Sequence, residues 1–121
     1  MRHAIAAAAL AAAAVLAVCA GTAWGHTGVE RYVPGRGAAV STPVKVVGLR
    51  FEGPIVTGTL TLTTASGRAI APREQGVVSR DTYLRMVLRS PPAAGSYRVA
   101  WRVRFEDGHR KQDTWTFRVV D

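Results

Sequence analysis

Sulfur ligands are almost missing from this sequence. Its one cysteine is Cys19, and its two methionines are Met1 and Met86. A single thiol excludes an intramolecular disulfide and any thiolate-rich metal cluster. Histidine is nearly as scarce, at His3, His26 and His109. Acidic residues number eight against sixteen Lys and Arg, for a formal net charge of +8. With so few polar candidates, no carboxylate dyad, nucleophile triad or phosphate-binding glycine loop can be assembled. After residue 25 no stretch has helical periodicity, and no apolar run is long enough to span a bilayer.

What is present begins with Met1-Arg2-His3 and an Ala/Leu/Val run from Ala4 to Ala20. The run is short for a spanning helix and lacks a flanking stop-transfer charge, so it reads as the apolar region of a secretory signal. Small residues at Ala23 and Gly25 place cleavage before His26. A cut after Ala20, with Val18 and Ala20 as the small pair, also fits. A lipoprotein start at Cys19 is the other alternative, although Val18 is a poor residue before a lipidated cysteine. The expected organisation is a signal over residues 1–25 and one exported β-domain over residues 26–121.

All eight acids and all basic residues but Arg2 lie in that domain. Its arginines are spread over separate strand-like stretches, with no basic run interleaved with aromatics. This speaks against nucleic acid. It reads first as a solvated sheet face, with an anionic membrane surface or an acidic partner as the alternative.

Short alternating stretches separated by turn residues fill the domain. Val44 to Phe51, Thr57 to Thr64, Tyr83 to Arg89, Tyr97 to Phe105 and Thr114 to Val120 are predicted strands. Ile70 to Arg73 and Val77-Val78 are predicted as short edge pieces, since Pro72 cannot donate to a ladder. The expected fold is all-β: a Greek-key antiparallel sandwich or barrel, Ig-like, of about seven strands. Trp101, Phe105, Trp115, Phe117 and Met86 are assigned to its core. The last two long strands flank residues 107–113 and are expected to form a hairpin.

Along Val99, Trp101, Val103 and Phe105 the apolar side of a strand continues in phase into Asp107 and His109. Residues i and i+2 of an extended segment point the same way, about 6.5–7 Å apart, so this pair can reach one ion. Cleavage before His26 would add a free α-amine and an imidazole in one residue, which together chelate a metal. Three nitrogens and a carboxylate oxygen suit Cu(II) in tetragonal geometry or Zn(II) in tetrahedral geometry. A surface histidine beside an ordinary Asp-Gly turn is the plain alternative.

The sequence resembles the CopC family of periplasmic copper-binding, or copper resistance, proteins. Four segments carry the resemblance: Pro34-Gly35-Arg36-Gly37, "PVKVVGLRF" from Pro43, "GSYRVAWRVRFEDGH" from Gly95, and "WTFRV" from Trp115. The resemblance implies that His26, Asp107 and His109 are the metal ligands and that one Cu(II) is bound per chain. It implies a carrier or sequestering role in copper resistance or homeostasis, beside an inner-membrane CopD-type partner. The chain is then not an enzyme, is a monomer, and meets the membrane only through that partner. Three features depart from the family pattern. Gly53 stands where some members place a ligating Glu, and Glu52 is out of phase by one. Met86 alone makes no Cu(I) site. Phe105 replaces a usual Ser. A metal-free interaction module and a small copper oxidase or monooxygenase are the competing functions.

Overall fold

The fold was established from a computed structural model, which describes residues 28–78 and 80–121. Nine strands run in order: β1 (Val29–Val33), β2 (Ala39–Val40), β3 (Val46–Phe51), β4 (Ile55–Thr64), β5 (Ala69–Ile70), β6 (Pro72–Val78), β7 (Tyr83–Leu88), β8 (Gly95–Phe105) and β9 (Arg110–Val119). They form two layers, a four-stranded sheet β1-β3-β7-β6 and a five-stranded sheet β2-β9-β8-β4-β5. Among the described residues there is no helix.

Alternation decides the layering. Along β8 the side chains of Tyr97, Val99, Trp101, Val103 and Phe105 are buried, while Arg98 and Arg102 are exposed. In β7, Leu84, Met86 and Leu88 are buried, and in β4 the buried Leu60 and Leu62 alternate with exposed Thr59 and Thr61. The inner faces meet in one core that also takes in Val47, Leu49, Phe51, Ile55, Trp115 and Phe117. All five residues assigned to the core from sequence lie in it. No polar side chain is buried there, so the sandwich rests on apolar area and ladder hydrogen bonds. The indole N–H of Trp101 is the one buried side-chain polar atom without a partner among the described residues.

The structure corrects several expectations. Among the described residues there are nine strands rather than about seven, because β1 and β2 carry too little alternation to be seen in sequence. The sandwich is not wholly antiparallel: β2 runs parallel to β9, pairing Ala39 with Arg118 and Val40 with Val119. The two predicted edge pieces at 70–73 and 77–78 are divided differently. Ala69 and Ile70 pair with β4, whereas Pro72–Val78 is one strand at the rim of the other sheet. Pro72 is tolerated there as the first residue of an edge strand, before a register shift. The strand predicted from Thr114 begins at Arg110, so the hairpin turn is shorter than residues 107–113.

Gly48 explains how the four-stranded sheet is covered on its outer side. A Cβ at this position would lie 2.8 Å from the Leu84 carbonyl oxygen and 2.8 Å from the Tyr83 hydroxyl. Tyr83 therefore lies across a strand that must be glycine at this point, and Arg50 sits over the Tyr83 ring at 5.1 Å. Replacing Gly48 with Ala forces backbone or ring to move and is expected to cost about 1–3 kcal/mol. A lowered midpoint in urea unfolding checks this.

Candidate metal centre

β8 ends at Phe105, and the chain turns through residues 106–108 before β9. Gly108 has φ of +89°, a conformation that favours glycine, and its N–H donates to the Phe105 carbonyl at 3.0 Å. The Phe105 N–H in turn donates to the His109 carbonyl at 2.9 Å. Asp107 closes this turn. Its Oδ1 accepts the His109 backbone N–H at 3.0 Å, and its Oδ2 lies 2.8 Å from His109 Nδ1. Both side chains are about half exposed.

Asp107 and His109 are therefore together, but not by the route the alternation implied. They do not continue β8 as an extended i, i+2 pair, since the strand stops at Phe105. The tight turn folds the carboxylate back over the residue two positions on. The His109 backbone N–H is the foremost reason that the Asp107 carboxyl titrates below the ordinary carboxylate range, and the imidazole hydrogen bond adds to it. The carboxylate thus stays charged into more acidic solution than a free Asp. The stability it lends the turn is fully present above the unfolded pKa and fades as pH falls through the lowered one. Where Nδ1 donates to Asp107, the other ring nitrogen, Nε2, carries the lone pair that a metal needs.

The start of β1 comes to the same end of the sandwich. Val29 pairs with Phe51 at the end of β3, and the Glu52 N–H donates to the Gly28 carbonyl at 3.0 Å. The Phe51 ring meets Phe105 edge to face at 5.7 Å and Trp101 at 5.4 Å. Phe51 thus ties the beginning of the described chain to the strand that carries the turn. His26, the third residue assigned to the metal from sequence, lies outside the described residues, as do Cys19 and the rest of residues 1–25. Among the described residues no group of three His, Cys, Asp or Glu is placed to hold a metal.

Glu52 is the acid that lies one position out of phase with the family's ligating Glu. β3 stops at Phe51, so strand phase no longer governs Glu52, which sits in the bend that follows. Its Oε1 lies 3.5 Å from where a Cβ on Gly28 would stand. A carboxylate therefore flanks the residue two positions after His26. The local "FEG" sequence carries no signal for this, because the neighbour is supplied by β1. Met86 is buried in the core, as the sequence indicates, and offers no surface thioether.

Solved structures share this architecture. PcoC, a methionine-rich copper resistance protein from Escherichia coli, is 24% identical, with 78% of this chain and 99% of that one covered at a TM-score of 0.69. CopC from Methylosinus trichosporium OB3b is 24% identical over 78% of this chain and 93% of that one, with a TM-score of 0.67. At this identity the likeness establishes the fold. No curated protein matches the sequence. The CopC domain model matches residues 29–120, from the first residue of β1 to the end of the sandwich. The chain belongs to the CopC family.

Proposed function

We infer that the protein is an exported carrier or sequestering protein for copper, which it binds as one Cu(II) per chain. The observation that carries this reading is the Asp107–His109 pair, fixed at 2.8 Å on the end of the sandwich where β1 begins. Support comes from family membership and from the copper resistance role named for the Escherichia coli neighbour. On this reading residues 1–25 are removed and His26 becomes the first residue. Its α-amine and imidazole, with His109 and Asp107, hold the ion. Two residues of chain separate His26 from Gly28 and reach at most about 7 Å.

The donor set fits the metal. Nitrogen and carboxylate donors select Cu(II) over Cu(I), which prefers thiolate and thioether. Binding needs neutral amine and imidazoles, so affinity falls as the solution is acidified. Copper here is cargo: a half-exposed pair permits capture and release. The protein is read as a monomer without catalytic activity. It acts in the periplasm, with an inner-membrane CopD-type protein as the receiver or donor of the ion.

Native mass spectrometry of the exported protein tests this, with and without one equivalent of Cu(II). The expected mass begins at His26 and gains one copper that survives a weak chelator. A chain that begins at His26 and takes up no copper leaves Asp107 and His109 as a plain turn and favours the metal-free module. In the same assay Asp107→Asn is expected to weaken binding more than about 10–100-fold, the usual cost of disturbing a carboxylate that only orients a ligating histidine, because Asp107 is read here as a ligand as well.

A further inference from the structure

The outer face of the five-stranded sheet is strongly basic along its outward rows. In register across β4, β8 and β9, Thr57, Arg104 and Arg110 form one row, and Thr59, Arg102 and Gln112 form the next. Then come Thr61, Ala100 and Thr114, followed by Thr63, Arg98 and Thr116. Ser96 pairs with Arg118 at the far end. Five arginines thus share one face with threonines, and the outward rows hold no Asp or Glu. Asp113, the one acid on these strands, follows the core phase opposite Trp101 but is exposed, and it lines the neighbouring trough with Arg102, Thr59 and Thr61. The four-stranded sheet differs, because Glu74 of β6 lies 3.9 Å from Arg85 of β7.

None of the guanidiniums of Arg98, Arg102, Arg104, Arg110 and Arg118 has an ion-pair or hydrogen-bond partner among the described residues. Each offers five N–H donors in a planar fork that matches phosphate oxygens. Shallow troughs run between them. One of about 520 Å³ is lined by Thr57, Thr59, Arg102, Arg104, Arg110 and Gln112, a set with cations and hydroxyls but no carboxylate.

We propose that this face docks on an anionic phospholipid surface, with lipid phosphates seated among the arginines and threonines. Charge complementarity and the shape of the face favour a membrane over an acidic protein. A protein interface is built around a desolvated core of aromatic or aliphatic anchors, and the outward rows here contain no aromatic, Leu, Ile or Met. A field of lipid phosphates asks for no such core, since it rewards many same-sign charges in one layer. Arg104 and Arg110 flank the turn that holds Asp107 and His109, so a docked molecule keeps that turn at the rim of the contact. The docking inference does not depend on copper binding, and its test is read without metal.

The exported protein is sedimented with vesicles of phosphatidylcholine mixed with phosphatidylglycerol, and with phosphatidylcholine alone. Partition is expected only onto the mixed vesicles and is expected to disappear at about 0.5 M salt, where screening is nearly complete. The triple variant Arg98→Gln, Arg102→Gln, Arg104→Gln is expected to lose roughly 100-fold in partition, at about fivefold per arginine near a charged surface. A charge-matched control, Arg31→Gln, Arg73→Gln, Arg89→Gln, removes exposed arginines outside this face and is expected to stay within a few-fold of the parent. Circular dichroism confirms that both variants are folded. No partition onto the mixed vesicles overturns the proposal, as does an equal loss in both triples, which would show net charge acting without a face. Retention on immobilised polyglutamate with no vesicle binding also overturns it and assigns the face to an acidic protein.

Discussion

Adding a single residue in front of His26, or replacing His26 with Ala, is expected to lower Cu(II) affinity roughly 1,000-fold or more. The reasoning starts from donor count. A primary amine and an imidazole on one residue close a chelate ring at no further cost in chain ordering. An extra residue turns that amine into an amide, whose nitrogen donates only after losing its proton, and breaks the six-membered amine–imidazole ring. His26→Ala keeps the amine and removes the imidazole, with the same result. Disturbing an outer partner of a ligand costs about 10–100-fold, so losing one of four donors together with the chelate ring must exceed that. Competition titration against a chelator of known affinity measures it. The fold should be untouched, because the nine strands lie within residues 29–119, all beyond the substituted position. Unchanged affinity in the extended chain would remove His26 from the site and leave the Asp107–His109 turn to account for any binding.

The core and the long strands were legible because they obey period two. Tyr97, Val99, Trp101, Val103 and Phe105 alternate with outward residues, and all five are buried. β1 was not legible, since "VERYV" mixes acid, base and aromatic at a register shift between Val29 and Arg31. β2 is two residues long and is held only by its neighbour β9. Asp107 and His109 were found for a partly mistaken reason. Alternation brought them together on paper, whereas the structure does so through the Gly108 turn, whose positive φ the Asp-Gly dipeptide encodes. The place of Glu52 beside Gly28 could not be read from sequence, because two segments far apart in the chain create it. The arginines were visible as scattered charges. Only the register across β4, β8 and β9 shows that they share one face.

Phe51→Ala is expected to be among the most damaging single substitutions in the core. The side chain is 1% exposed and meets the rings of both Trp101 and Phe105 edge to face. Truncating a buried phenylalanine costs about 3–5 kcal/mol, against a total stability of about 5–15 kcal/mol for a domain. At about 4–8 °C per kcal/mol for a domain of this size, the melting temperature should fall by more than about 10 °C. Phe117→Ala is the matched comparison. Phe117 is also 1% exposed, and it stacks on Tyr97 at the opposite end of β8. The two variants should lose similar stability but differ at the metal centre. Phe51 holds the start of β1 against the strand that carries the Asp107–His109 turn, so its loss should weaken Cu(II) binding about tenfold in protein that is still folded, within the cost of a disturbed outer shell. Phe117→Ala should leave affinity unchanged at the same temperature. Calorimetric unfolding and copper titration on both variants separate the two effects. Equal affinities would mean that the core sets the stability of the sandwich without setting the geometry of the site.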